Sequence, residues 1–144
     1  MVGEFTTPTA EEWPLIFDSW ARSFRNSPWA GVIRNCDYPT VSRAAMSEIV
    51  DSGARVTVLV SKTEAGERRV IGYSVSDPTR KVIHYIYVKR DWRGLGMGKR
   101  LRQEVVPDNE LSKWVYTYRT PACSKFYRDN HGKRHEPVYA RMKV

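Results

Sequence analysis

The stretch Val88-Lys89-Arg90-Asp91-Trp92-Arg93-Gly94-Leu95-Gly96-Met97-Gly98-Lys99 constrains this chain more than any other. A segment of period two, Lys81–Val88, runs into a turn with glycines at alternate positions, and Met97, Leu101 and Val105 then recur every four residues, with Pro107 closing the pattern. A strand feeding a glycine-spaced helix start presents unpaired backbone N–H groups and the positive end of a helix dipole, with no Cβ to keep an anion away. Lys89, Arg90, Arg93, Lys99 and Arg100 flank that junction and add positive charge for phosphate groups. The competing reading is a tight turn and nothing more. Dinucleotide and nucleoside-triphosphate loops fit poorly, because the spacing is R-G-x-G-x-G rather than G-x-G-x-x-G and no G-K-[ST] ending is present.

The rest of the chain supplies a sheet and helices around this junction. Trp13, Ile16, Phe17, Trp20 and Phe24 recur at helical spacing behind Thr9 and Glu12, which stand at capping-box distance, so a first amphipathic helix is predicted to begin near Trp13. A second runs from about Pro39 to Asp51 and ends at Gly53. From Arg55 the period becomes two. Val56, Val58 and Val60 face one way, and Val70, Ile71, Tyr73 and Val75 form the partner strand of a hairpin across the polar loop Ser61–Arg69. Lys81–Val88 is a third strand, with His84, Ile86 and Val88 on one face and Ile83, Tyr85 and Tyr87 on the other. Val115–Tyr118, Cys123–Asn130 and Val138–Met142 complete the series as strand, helix and strand. The expected order is ααβββαβαβ, an α/β arrangement around a mixed sheet in which two helices precede any strand.

Length and charge narrow the classes further. At 144 residues the chain is expected to form a single domain over 1–144, with no linker or repeat to divide it. The longest apolar run, Val58-Leu59-Val60, is far short of the ~20 residues a membrane span needs. The start, Met1-Val2-Gly3-Glu4, lacks a signal-peptide pattern, so a cytoplasmic location without membrane contact is expected. Cys36 and Cys123 are isolated and read as free thiols. The net charge of +8 is uneven: residues 80–102 carry eight basic side chains against Asp91 alone, and residues 113–144 carry eight against two. Such a half attracts a polyanionic ligand, an acidic protein or RNA.

The segment Arg93–Gly98 resembles the Arg/Gln-x-x-Gly-x-Gly/Ala pyrophosphate loop of the GCN5-related N-acetyltransferases, with Val88 at the offset of that family's strand-ending valine. Ile71-Gly72-Tyr73 looks like the glycine-aromatic step of its third strand. Cys123-Ser124-Lys125-Phe126-Tyr127 followed by Gly132 looks like its second coenzyme A motif, and Tyr139–Met142 like its closing strand. Thr120 stands where an Asn is frequent, and the Tyr127-to-Gly132 interval is one residue long. The resemblance implies an α+β fold whose mixed, mostly antiparallel central sheet opens in a V-shaped split, with helices on both faces. It also implies acetyl-CoA as the acyl-donor cosubstrate, direct transfer to a primary amine, and no metal.

By the same resemblance, Ile86, Tyr87 and Val88 would pair with the pantetheine arm, and Arg93, Gly94, Leu95, Gly96, Met97, Gly98 and Lys99 would hold the pyrophosphate. Tyr127 matches the family's tyrosine beside the coenzyme sulfur and would donate to the departing thiolate. His84, four residues before Val88, stands where some members carry a histidine, and a neutral imidazole there would accept the amine's proton. Core roles compete for both residues. Trp29, in a turn between the two N-terminal helices, is the acceptor-site candidate. His131 and His135 lack the further ligands a metal needs, and Cys123 reads as a packing residue. The expected acceptor is an amine on an acidic protein or RNA rather than a small polyamine, since a cationic surface repels a polycation. The family also allows a homodimer. The alternative is a non-catalytic basic nucleic-acid-binding module on the same fold, in which Tyr85, Tyr87, Tyr116 and Tyr118 would offer a stacking surface.

Overall fold

In the computed structural model, residues 3–25 and 37–116 are described. A short strand β1 (Glu4–Thr6) comes first, then helices α1 (Trp13–Arg25) and α2 (Tyr38–Asp51), strands β2 (Arg55–Lys62), β3 (Arg68–Asp77) and β4 (Val82–Val88), helix α3 (Met97–Val105) and strand β5 (Val115–Tyr116). Short 3-10 helices at Arg90–Trp92 and Asp108–Lys113 flank α3. The expectation that two helices precede any strand is therefore corrected. Glu4, Phe5 and Thr6 pair antiparallel with Val60, Leu59 and Val58, and three residues are too few to show an alternation.

The start of α1 shows how Thr9, Glu12 and Pro14 coexist. The Glu12 carboxylate accepts the Thr9 N–H at 3.0 Å, half of a capping box, and the first helical bond runs from Ile16 N–H to the Glu12 carbonyl. Pro14 thus sits in the first turn, where its missing N–H has no helical partner to lose. Arg68 on β3 donates to both Glu12 oxygens, at 2.7 and 3.3 Å, and fastens this turn to the sheet.

The sheet runs in the order β1-β2-β3-β4-β5, antiparallel except for the last pair. Its two faces carry separate cores. α1 and α2 bring Ile16, Phe17, Trp20, Met46 and Ile49 against Val56, Val58, Val60, Tyr73, Val75 and Tyr85. The facing helix and strands are also linked by polar contacts: Ser19 and Ser23, one turn apart on α1, hydrogen-bond the hydroxyls of Tyr73 and Tyr85 at 2.6 and 2.5 Å. On the other face, Leu101 of α3 packs on Leu59 and Ile71. A helix-covered sheet of this kind, α+β and mostly antiparallel with helices on both faces, is the arrangement expected.

Two bulges break the ladder. Leu59 pairs with Gly72 and Val60 with Val70, which leaves Ile71 as the extra residue on β3. Val75 pairs with Tyr85 and Ser76 with Ile83, which leaves His84 as the extra residue on β4. The second bulge overturns one expectation about faces. Ile83 does not join Tyr85 and Tyr87; it packs with Val106 and Trp114, beside Ile86, because the inserted residue resets the alternation below it.

Candidate functional site

β4 and β5 lie parallel and pair only at Val82 with Val115 and Ile83 with Tyr116. Beyond Ile83, among the described residues, the β5-side edge of β4 has no ladder partner. His84 to Val88 lie beyond the last described β4–β5 pair and lead to the loop before α3. Ile86, Tyr87 and Val88 are half-buried there.

The loop is built around its glycines. Lys89 N–H donates to the Ile71 carbonyl at 2.8 Å, which carries the ladder one residue past β4. The Arg90–Trp92 turn follows, and Gly94 and Gly96 take φ values of 80° and 78°, a left-handed backbone that a side chain would strain. A Cβ built on either would meet nothing within 4 Å. The space beside both glycines is thus open, as an anion cradle requires, and Gly96 is the residue that opens α3. Gly98 differs, since its Cβ would make ordinary contact with Val88 at 3.7 Å, so this glycine serves the approach of α3 to β4. Arg90, Arg93 and Lys99 are exposed around the loop, and Leu95 is 61% exposed at its tip.

Arg93 is not simply a free cation. Its Nε donates to the Val88 carbonyl at 2.9 Å, and its guanidinium carbon lies 6.0 Å above the Tyr87 ring. It closes the turn on the end of β4 while its remaining N–H groups stay exposed. Val88 accordingly has its carbonyl engaged from within the chain.

His84 is 7% exposed. Burial pushes its imidazole down to about 4, against a pull upward from the Asp77 carboxylate and a further push downward from Arg80. The ring is therefore neutral at physiological pH. Tyr85, one residue on, is 3% exposed and stacked on Trp20 at 6.4 Å, which makes it a core aromatic and not part of an open stacking surface.

Sequence reasoning missed two features. A groove of about 880 Å³ opens beside the loop, between the Thr9–Glu12 turn, the start of β3 and Lys89, Asp91 and Trp92. Its walls come from three distant segments, so no local pattern announces it. The second is the buried Asp77, 7% exposed, at the end of β3. Tyr127, Trp29, Cys123, His131, His135 and Tyr118 lie outside the described residues, and so do the helix and strand expected after Tyr118. Among the described residues no group of three or more His, Cys, Asp or Glu side chains is placed to hold a metal, and no helix is long and apolar enough to cross a membrane.

Comparison with protein-family models finds no match, and comparison with curated proteins finds none either. Among solved structures, an acetyltransferase of the GNAT family from Staphylococcus aureus Mu50 is similar to this chain over 72% of its length, at 14% identity and a TM-score of 0.43. The chain spans 62% of that protein. So distant a likeness leaves the reading of the site to the geometry of this chain.

Proposed function

We propose that this chain is an acetyl-CoA-dependent N-acetyltransferase that transfers an acetyl group to a primary amine on a protein or other macromolecule. The observation that carries the proposal is the run of β4 into a glycine loop with open space beside Gly94 and Gly96. Ile86 to Val88 lead directly into Gly94 and Gly96, whose Cβ positions are clear, at the N-terminus of a nine-residue helix. An extended arm ending in a pyrophosphate fits that sequence of features. The arm adds to the strand edge as a short extra strand, and the phosphates meet the amides from Gly94 to Lys99 with Arg93 and Lys99 at the rim.

Bound acetyl-CoA would supply the activated acyl group as a thioester. This chain's part is to hold that group beside the amine and to move two protons. The amine nitrogen forms the new C–N bond as the C–S bond breaks. The ammonium proton passes to the neutral His84 imidazole, directly or through water; the attacking nitrogen then sheds its second proton as the departing thiolate takes one from Tyr127, the proposed donor, and that second proton returns the Tyr127 phenolate to the phenol. A base of low pKa is a weak acceptor, so His84 depends on help from its surroundings. Trp29 is the proposed contact on the acceptor side.

The test is release of free coenzyme A thiol from acetyl-CoA in the presence of lysine-bearing proteins, with spermidine as the small cationic competitor. Protein-dependent release, falling about 100-fold in His84→Gln, is expected. Efficient turnover of spermidine would overturn the macromolecular acceptor. Tight coenzyme binding with no release from any amine would make the chain a binder of acyl-CoA.

A further inference from the structure

The end of β4 carries a contact that competes with the use proposed for that strand. Successive residues of a strand turn their backbone N–H and C=O groups to opposite sides. The Lys89 N–H donates to the Ile71 carbonyl at 2.8 Å, and a Cβ at Gly72 would run into the Tyr87 carbonyl oxygen, so both of these groups lie on the β3 side of β4. The Val88 carbonyl between them therefore points away from β3, to the side on which β5 pairs at the start of the strand. An extended carrier arm would add on that side, and there the Val88 carbonyl already accepts the Arg93 Nε–H at 2.9 Å.

This bond is lightly held. Arg93 is exposed, so water competes for both partners, and its guanidinium carbon stands 6.0 Å from the Tyr87 ring, at the outer limit of a cation–π contact. The carbonyl offers the guanidinium one neutral acceptor. A diphosphate offers several charged oxygens, which the planar fork takes in pairs and at roughly twice the strength. Arg93 also adjoins Gly94, whose Cβ position is clear, and the space beside Gly96 is equally open. Lys99, exposed on the first turn of α3, adds a further cation to the same region.

We propose that Arg93 determines which acyl carriers this site takes: its side chain guards the Val88 carbonyl, and a diphosphate bound at Gly94 to Lys99 draws it off, releasing that carbonyl to accept an amide N–H of the carrier's arm. The inference rests on the acetyl-CoA reading. One side chain thereby couples the two halves of the carrier. An arm without phosphates must displace Arg93 unaided, whereas the diphosphate of coenzyme A gives the guanidinium a better partner. Coupling of this kind is reciprocal, so diphosphate and arm each tighten the binding of the other.

The test is a calorimetric titration of the full chain and of Arg93→Ala with acetyl-CoA and with S-acetyl-pantetheine, which has the arm and no phosphate. In Arg93→Ala, acetyl-CoA is expected to bind about tenfold more weakly and S-acetyl-pantetheine about fivefold more tightly. The opposite signs set this exchange apart from simpler roles. A residue that only contacts phosphate would leave S-acetyl-pantetheine unchanged, and one that only holds the loop would weaken both ligands; either pattern overturns the proposal. A second measurement needs no variant: saturating inorganic pyrophosphate is expected to tighten the binding of S-acetyl-pantetheine to the wild-type chain about fivefold. Absence of that gain overturns the proposal, as does an equal gain in Arg93→Ala. A folded chain that takes up neither acetyl-CoA nor pyrophosphate removes the acetyl-CoA reading and this inference with it, whereas uptake of acetyl-CoA without the coupling removes the inference alone.

Discussion

Replacing Gly72 by alanine is expected to destabilise the chain by about 3 kcal/mol or more, as an overpacked core position does at the upper end of its range. Gly72 lies on β3 opposite Val88 and beside Leu101 of α3. A Cβ there would stand 2.2 Å from the Tyr87 carbonyl oxygen and 3.1 Å from both Val88 Cα and Leu101 Cδ1. Two of these neighbours are β4 backbone, so relief requires β3 and β4 to move apart. The position has an ordinary backbone conformation, and the cost comes from close approach rather than from φ. In a chain of this size such a loss lowers Tm by about 10 °C. Thermal melts followed by circular dichroism check this, and a variant melting with the wild type would show that β3 and β4 are not as close as described.

The second large effect is a loss of stability in mild acid. In the unfolded chain His84 binds a proton near its ordinary pKa of 6.5, whereas in the folded chain burial delays binding to about 4. Between those values the unfolded state binds more protons, so stability is complete above pH 6.5 and falls as the pH drops towards 4. Between pH 7 and pH 5 the loss amounts to about 2 kcal/mol. Glu12 and Asp108 do not confuse that window. Burial pushes the Glu12 carboxyl up, but its bonds to Arg68 and Thr9 prevail and hold it below the usual carboxylate value, while Arg102 holds Asp108 low, so both stay ionised at pH 5. Urea unfolding at the two pH values, on the wild type and on His84→Gln, separates the contribution. Equal stability of the wild type at both pH values would contradict the burial of His84, as would the same drop in the variant.

The sequence and the structure agree where hydrophobic periodicity is strong and part company where a single residue shifts the count. α1 was readable because Trp13, Ile16, Phe17 and Trp20 share one face and because Glu12 and Thr9 announce the start. The glycine loop was readable because left-handed turns at Gly94 and Gly96 leave a direct mark on composition. β4 was harder. Val82-Ile83-His84-Tyr85-Ile86-Tyr87-Val88 has no polar face to fix the alternation, so the bulge at His84, which sends Ile83 to the α3 side, left no signal. The burial of His84 was hidden for the same reason, since a histidine among apolar residues reads equally well as lining or as core. Arg93 was read as a flank of the glycine loop, but its bond to the Val88 carbonyl depends on how the turn folds back, which spacing does not encode.

The measurement that bears most directly on the acetyltransferase reading is a calorimetric titration of the chain with acetyl-CoA, run beside Gly96→Glu. That variant places a carboxylate in the open space where phosphates are expected, so charge repulsion adds to the strain of a side chain at left-handed φ. Its circular dichroism spectrum and melt confirm that any loss belongs to the site. Micromolar binding by the wild type, weakened at least about 100-fold in a folded Gly96→Glu, is the result predicted for a phosphate cradle. A folded wild type that takes up no acetyl-CoA, or a variant that binds it as well as the wild type does, would contradict the account.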